Sequence, residues 1–484
     1  MKLNAWILIP AMLLAGTACN RPASQPKKIA ITTSSEKARA AFLKARELSE
    51  NLRSAAAKPL LDEAIREDPN FAVALLLRAG TATTPSEYFE RMKAAVAAAP
   101  KASEGEQLWI RASEAGARGN QKESGELFAK LVAAYPEDER ARFSLSSYHY
   151  GVRNYEAAAA ECRRAIQLAP NYAPAYNMLG YSLRETGNDK EAEAALRKYV
   201  ELVPNEPNPQ DSLAELLMKM GRFDDSIEAY RKALSLDPQF WGSHRGIAAN
   251  LLFQDKHKEA MEQLQKAFEV ASDDSERRRA LREMAICHVD QGRVPAALDM
   301  ISKATALDEK SGNHAGMAGD AGISAELLLH SGKIEQARRQ FVLALEHVRQ
   351  SNRPERSKKR AELGHHGTLA LVAAARKDFE TANKEAAIMR AGFEGWATPQ
   401  EMFWLHEVLG ILALQQKNYG EAISRLSQAD PQSLYVMYHL GKAYAGKPDQ
   451  EKALTWYRKA ATTYTLPSLR DALVRKAAQR ELGA

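Results

Sequence analysis

Cysteine is scarce: Cys19, Cys162 and Cys287 are all that 484 residues contain, too few to staple a fold together with disulfides. Aromatic residues make up only 7% of the chain, and neither sign of charge dominates, with 67 lysines and arginines against 61 aspartates and glutamates. Residues 1–18 carry only Lys2, so without them the balance is 66 against 61, or +5 instead of +6. The dense basic runs are Arg277 to Arg279 and RPERSKKR from Arg353 to Arg360. They read as solvated faces or a linker, whereas a nucleic-acid surface needs a continuous basic stripe. Past residue 18 there is no stretch of about 18 uncharged apolar residues, which excludes a later spanning helix. What is present, 45% apolar and 26% charged residues, is an ordinary balance for a helical protein with a packed core.

The beginning of the chain has a pattern of its own. Lys2 precedes an apolar run from Ala5 to Ala15 (AWILIPAMLLA), and Gly16, Thr17 and Ala18 stand directly before Cys19. The run is too short for a permanent span and has the layout of a cleaved export signal. With a cysteine directly after the small residues, it resembles a bacterial lipoprotein signal, which implies that Cys19 is lipidated and becomes the first mature residue. Gly16 departs from that pattern, which usually has leucine three residues before the cysteine; plain secretion and an incidental cysteine are the alternatives. Asn20 is not the aspartate that retains some such proteins in the inner membrane, so the resemblance implies an anchor in the outer membrane, facing the periplasm. Residues 19–35, rich in Pro, Ser and Lys and without helical periodicity, are expected to form a tether. About 16 extended residues reach roughly 50 Å.

The rest of the chain repeats. Pro136, Pro170, Pro204 and Pro238 fall 34 residues apart and frame the windows 105–138, 139–172, 173–206 and 207–240; the register continues through 241–274. In the third window Tyr176, Leu179, Gly180, Leu183, Ala192, Leu196 and Pro204 occupy positions 4, 7, 8, 11, 20, 24 and 32. Positions 4, 7 and 11 share one face of a first helix, and small residues at 8 and 20 let two helices approach closely. Gly187 supplies the turn, Leu196 fills the core from the second helix, and Pro204 ends that helix because it has no N–H to donate. Leu213, Ala214, Leu217, Gly221, Ser226, Tyr230 and Pro238 repeat the assignment.

Period and positions together resemble the tetratricopeptide-repeat family. The resemblance implies an all-α solenoid of helix-turn-helix units, a right-handed superhelix of about 11–12 repeats. Degenerate copies are expected at 38–71 and 72–104, then at about 278–311, 318–351, 363–396, 403–433 and 434–467. The chain then divides into signal 1–18, tether 19–35, degenerate repeats 36–104, regular repeats 105–274, degenerate repeats 275–467 and a capping helix 468–484. Two breaks, near 309–320 and 349–362, read as loops, and Pro59 argues against a long second helix in the first repeat. A solenoid needs polar covers at its ends. Residues 468–482, with Leu469, Leu473 and Ala477 as one apolar stripe, fit that role.

No catalytic motif emerges. His365-His366 has no partner at metal-ligand spacing, and GNHAGMAGDAG (Gly312 to Gly322) lacks the GK[ST] of a phosphate loop and reads as a loop with close helix packing. Asp224-Asp225 and Asp273-Asp274 fall where they cap helices. Cys162 and Cys287 lie more than three repeats apart, which in a linear stack keeps both thiols free. No enzyme activity, cofactor or metal is expected.

The family lines a concave groove with first-helix residues. Carried over, those positions are Trp109, Ser113, Phe143, Ser147, Tyr150, Asn177, Tyr181, Arg184, Asp211, Glu215, Met218, Arg245 and Phe253. Aromatics, arginine and amides suit recognition of a protein or peptide segment. The Lys and Asn positions with which some members hold an acidic chain end are not matched, since Asn177 and Tyr181 are followed by Ser212. The implied function is a non-catalytic interaction scaffold or assembly factor in the bacterial cell envelope. The alternative is an accessory or regulatory subunit of an envelope polysaccharide or peptidoglycan enzyme system.

Overall fold

The structure, a computed structural model, describes residues 28–82, 84–395 and 397–483; Cys19 and the export signal lie outside the described residues. The described residues hold 25 α-helices and no strand. Twelve hairpin pairs succeed one another. The first four are α1 (Glu36–Glu50) with α2 (Ser54–Glu67), α3 (Ala72–Gly80) with α4 (Pro85–Ala98), α5 (Glu104–Ala117) with α6 (Gln121–Ala134), and α7 (Glu139–Gly151) with α8 (Tyr155–Leu168). The regular run ends with α9 (Ala173–Glu185) and α10 (Asp189–Leu202), α11 (Pro207–Lys219) and α12 (Phe223–Leu236), and α13 (Trp241–Phe253) and α14 (His257–Glu269). Longer pairs follow: α15 (Asp274–Asp290) with α16 (Val294–Ser311), α17 (His314–His330) with α18 (Ile334–Gln350), and α19 (Glu355–Ala375) with α20 (Phe379–Phe393). The chain closes with α21 (Pro399–Gln415) and α22 (Tyr419–Leu426), α23 (Leu434–Gly446) and α24 (Gln450–Thr462), and α25 (Leu469–Glu481).

Local chemistry sets these boundaries. Asp138 caps α7 by accepting from the Arg140 and Ala141 amides, and Ser103 and Glu106 cap α5 reciprocally. Each turn inside a regular pair needs one left-handed residue. Gly187 (φ 76°) and Gly221 (φ 73°) provide it at little strain, whereas Arg153 (φ 61°) and Asp255 (φ 60°) hold the same place with a side chain. Pairs meet through small residues: Ala158, Ala192, Ala214 and Ala260 are buried, and a Cβ on Gly180 would lie 2.5 Å from Leu196 Cγ. Where serine takes such a position it donates across the pair, as Ser226 Oγ does to the Ala214 carbonyl at 2.7 Å. The core is therefore a series of clusters handed from one pair to the next.

Four expectations are corrected. The supposed break at 309–320 is almost wholly helical: only Gly312 and Asn313 separate α16 from α17, so the glycine-rich stretch opens a helix instead of forming a loop. Likewise α19 begins at Glu355, within the second expected break. In both places the period lengthens because the helices gain about a turn, not because a loop intervenes. Pro59 sits inside the 14-residue α2. The bond it cannot make would go to the carbonyl of Ala55, an exposed residue of the first turn where water can replace it. Finally, α25 does more than cover the last pair, α23 and α24. It also packs against α15, far back in the chain, and Leu469 and Ala472 join the core cluster of α13 to α17. The chain thus folds back on itself, and contacts are not confined to neighbouring repeats.

The last residues of the expected tether are docked as well. Lys28 Nζ pairs with Glu139 at 2.6 Å, the Ile29 amide donates to Asp138 at 2.9 Å, and the Thr32 amide donates to Glu106 at 3.1 Å.

Candidate functional site

First helices touch one another from α7 through α9, α11 and α13 to α15, so over that run their inner faces form a continuous surface. Its best-built part joins three of the sequence-derived groove residues. Tyr181 donates its hydroxyl to Glu215 Oε2 at 2.8 Å, Arg184 Nη1 donates to Glu215 Oε1 at 2.7 Å, and the Arg184 guanidinium lies 4.5 Å from the Tyr181 ring centroid. Burial raises the tyrosine hydroxyl well above its usual range. One turn before Glu215 on α11, Asp211 accepts from Ser243 Oγ of α13 at 2.7 Å, and burial pushes its carboxyl up to about 7.

The other expected groove residues divide by environment. Asn177 has a buried Oδ1 without a partner, and Tyr150 stacks edge-on with Tyr155 at 5.3 Å. Trp109 packs partly buried among three core clusters, and Phe143 meets Tyr172 edge-on at 5.7 Å, so both serve packing. Ser113 and Ser147 donate to carbonyls of their own helices. Met218 is completely buried and presents nothing to a partner. Phe253 is covered by the chain itself, with Tyr464 at 5.2 Å and the Arg475 guanidinium at 5.6 Å from its ring.

That cover belongs to a C-terminal strap. Arg475, 3% exposed, donates from Nε and Nη2 to Asp290 at 2.9 and 2.6 Å, and from Nη2 to Asp255 and to the Leu252 carbonyl, both at 3.3 Å. Lys476 Nζ reaches Asp255 at 2.6 Å, and His257 Nε2 lies 2.9 Å from Asp290 Oδ2. Asp255, His257 and Asp290 have ligand atoms within 4.8 Å of one another, a spacing that suits a metal, but the two cations of α25 stand in their midst. The trio acts as the anionic socket of that helix. Arg470 bridges Glu326, at 3.5 Å, and Glu407. Nothing in the repeat pattern marks Tyr464, Arg470 or Arg475, because each is matched to an acidic or aromatic group far away in sequence.

Between α13, α15, α17, α18, α19 and α21 and the start of this strap lies a chamber of about 760 Å³. Arg245 faces it, paired with Glu283 at 2.6 Å, along with Trp241, Trp404 and Phe341. His365 also lines it, while His366 points elsewhere and meets Glu385 at 2.6 Å. Most of the chamber lies in the degenerate repeats, beyond the strict run from which groove residues were taken; of those groove residues it includes Arg245, on α13. Both described cysteines are free and buried, with the Cys162 thiol pushed up to about 12 and that of Cys287 to about 11 by burial, the opposite of an activated nucleophile.

Comparison with known proteins agrees with the repeat geometry. Family models described as tetratricopeptide repeats match residues 111–173, 150–216, 212–240 and 406–465. No curated protein matches the chain. Among solved structures, a tetratricopeptide repeat protein from Parabacteroides merdae is 15% identical, with 56% of this chain and 94% of that one aligned at a TM-score of 0.37. PilF of Pseudomonas aeruginosa is 20% identical over 46% of this chain and 92% of its own, with a TM-score of 0.31. MamA of Desulfovibrio magneticus is 20% identical over 34% and 94%, with a TM-score of 0.31. Likenesses this low say nothing of function. From its 34-residue register, its helix pairs and the repeat models that match both halves, the chain is a tetratricopeptide-repeat protein.

Proposed function

We propose that this protein is a non-catalytic scaffold of the bacterial cell envelope, binding a protein or peptide segment along the inner surface of its helix stack and held at the outer membrane, facing the periplasm, by a lipid on Cys19. The observation that carries the binding role is the Tyr181, Arg184 and Glu215 set. Adjacent repeats place an aromatic, a cation and a carboxylate on one face, where the fold alone asks for none of them. Arginine and tyrosine are the residue types that most often anchor interfaces. The envelope assignment is supported by the pattern from Lys2 to Cys19.

A photo-crosslinking amino acid at Tyr150 or Asn177, on the inner face, tests it against one at Arg163 or Lys232, both exposed on second helices. Adducts of defined mass are expected from the inner positions in living cells. Adducts confined to Arg163 and Lys232 would place recognition on the outer face and defeat the groove reading.

A further inference from the structure

One wall of the chamber has a sequence that is unfavourable for a helix. Helix α17 carries Gly316, Gly319 and Gly322, and a glycine in a helix interior costs about 1 kcal/mol relative to alanine. Gly316 has a reason within the fold, since a Cβ there would overlap the Asp308 carboxylate. Gly319 and Gly322 have none. A Cβ on Gly322 would meet nothing within 4 Å, and one on Gly319 would reach only the guanidinium tips of Arg278 and Arg282, at 3.9 and 4.0 Å. Neither residue has a positive φ. Both line the chamber, so what their missing side chains do is clear space in front of α15.

Across that space stand donors without matching acceptors. Arg279 is exposed, its guanidinium 5.2 Å from the Trp241 ring centroid, and no carboxylate among the described residues pairs with it. Arg282 has only Asp320, at 3.6 Å, and Asp320 is already held by Arg278 at 3.1 Å. The indole Nε1 of Trp241 is buried with no acceptor. The remaining cations of the lining are committed, Arg245 to Glu283 and Arg470 to Glu326 and Glu407. The free hydrogen-bonding capacity is therefore on the donor side and cationic. Guanidinium groups three residues apart on one helix face match a carboxylate. Opposite them Trp404 gives an apolar wall, seated on Gly364, where a Cβ would overlap its ring.

We propose that this chamber seats an acidic segment of the partner protein, with a side-chain carboxylate against Arg279 and Arg282 over the Gly319–Gly322 strip and an adjoining apolar side chain against Trp404. The proposal rests on the scaffold reading above and names the chemistry of its partner.

The test uses the mature full-length protein and pools of labelled, amidated decapeptides. One pool has two fixed glutamates flanking a leucine, with Gly, Ser, Asn or Ala elsewhere; its control has glutamine for glutamate. Anisotropy and the emission of the chamber tryptophans are read together. The glutamate pool is expected to bind about tenfold more tightly or better, with a preference that fades as salt rises. Arg279→Gln with Arg282→Gln should abolish that preference. Gly322→Leu, which fills open space in a helix, should melt no lower than the parent and still lose about tenfold in binding. Equal binding of the two pools, or a glutamate preference that survives both variants, overturns the proposal. So does stronger binding of glutamine peptides with a free terminal carboxylate, which would mean recognition of a chain end. The scaffold reading fails separately, by the crosslinks from Tyr150 and Asn177, which do not line this chamber.

Discussion

Arg153 reaches across 277 residues of sequence to Asp430, with Nη1 2.7 Å from Oδ1 and Nη2 3.0 Å from Oδ2. It does so from a left-handed turn residue, φ 61°, at the place where the neighbouring turns have Gly119 and Gly187. That conformation costs an arginine about 1–2 kcal/mol. Arg153→Ala loses the two-point pair and keeps the strain, whereas Arg153→Gly loses the pair and releases it. In urea unfolding, the Gly variant is expected to be more stable than the Ala variant by about 1 kcal/mol. Equal stabilities would mean that the turn is not strained.

Close approach of paired helices gives a second expectation. A Cβ at Gly180 would press on Leu196, and one at Gly246 would overlap the Tyr230 ring. Alanine at either site should destabilise by about 1–3 kcal/mol, with Gly246→Ala the worse because a buried ring cannot swing aside. Gly322→Ala, in open space, should instead stabilise by up to about 1 kcal/mol. Thermal melts of the three variants decide the ranking, and a neutral Gly246→Ala would contradict the packing described.

Asp211 predicts a pH dependence. Burial pushes its carboxyl up to about 7 in the folded protein, while an unfolded chain titrates an aspartate near ~3.9. Between those values the native state holds a proton that the unfolded state lacks, so this group's contribution to stability is full below about pH 4 and is lost as pH rises through about 7. The slope is at most about 1.4 kcal/mol per pH unit. Asp211→Asn removes it, so the variant should gain on the parent as pH rises from about 4.5 to 7.5. A stability difference that does not change with pH would show that Asp211 stays ionised.

The anchor proposed at Cys19 has a direct readout. Labelled fatty acid should enter the parent and not Cys19→Ala, and the variant should leave the membrane fraction as an unprocessed or unlipidated form. A parent that takes up no label would leave the scaffold without its proposed anchor.

Much of the architecture was legible because a repeat is a local object. The turn at Gly187, the stop at Pro204, the close contact of Gly180 with Leu196 and the burial of Cys162 and Tyr230 all depend on residues within one or two helix pairs, and spacing along the chain encodes such neighbours. Where the helices lengthen, from α15 to α21, the same local signals remained but their register changed. A fixed 34-residue frame therefore mistook extra helical turns for loops. Tyr181, Arg184 and Glu215 were legible one by one as first-helix positions, though not as a hydrogen-bonded set.

By itself, then, the sequence determined the helix pairs, their order and the residues that pack each against the next, since those interactions lie within one or two repeats and repay their entropy locally. Only the tertiary structure decided that α25 lies in the socket of Asp255 and Asp290, that Arg153 meets Asp430, and that Arg279, Arg282, Gly319 and Gly322 share a chamber with Trp404. Such meetings depend on the small rotation between successive pairs, summed over many repeats. No short pattern in the chain records that sum.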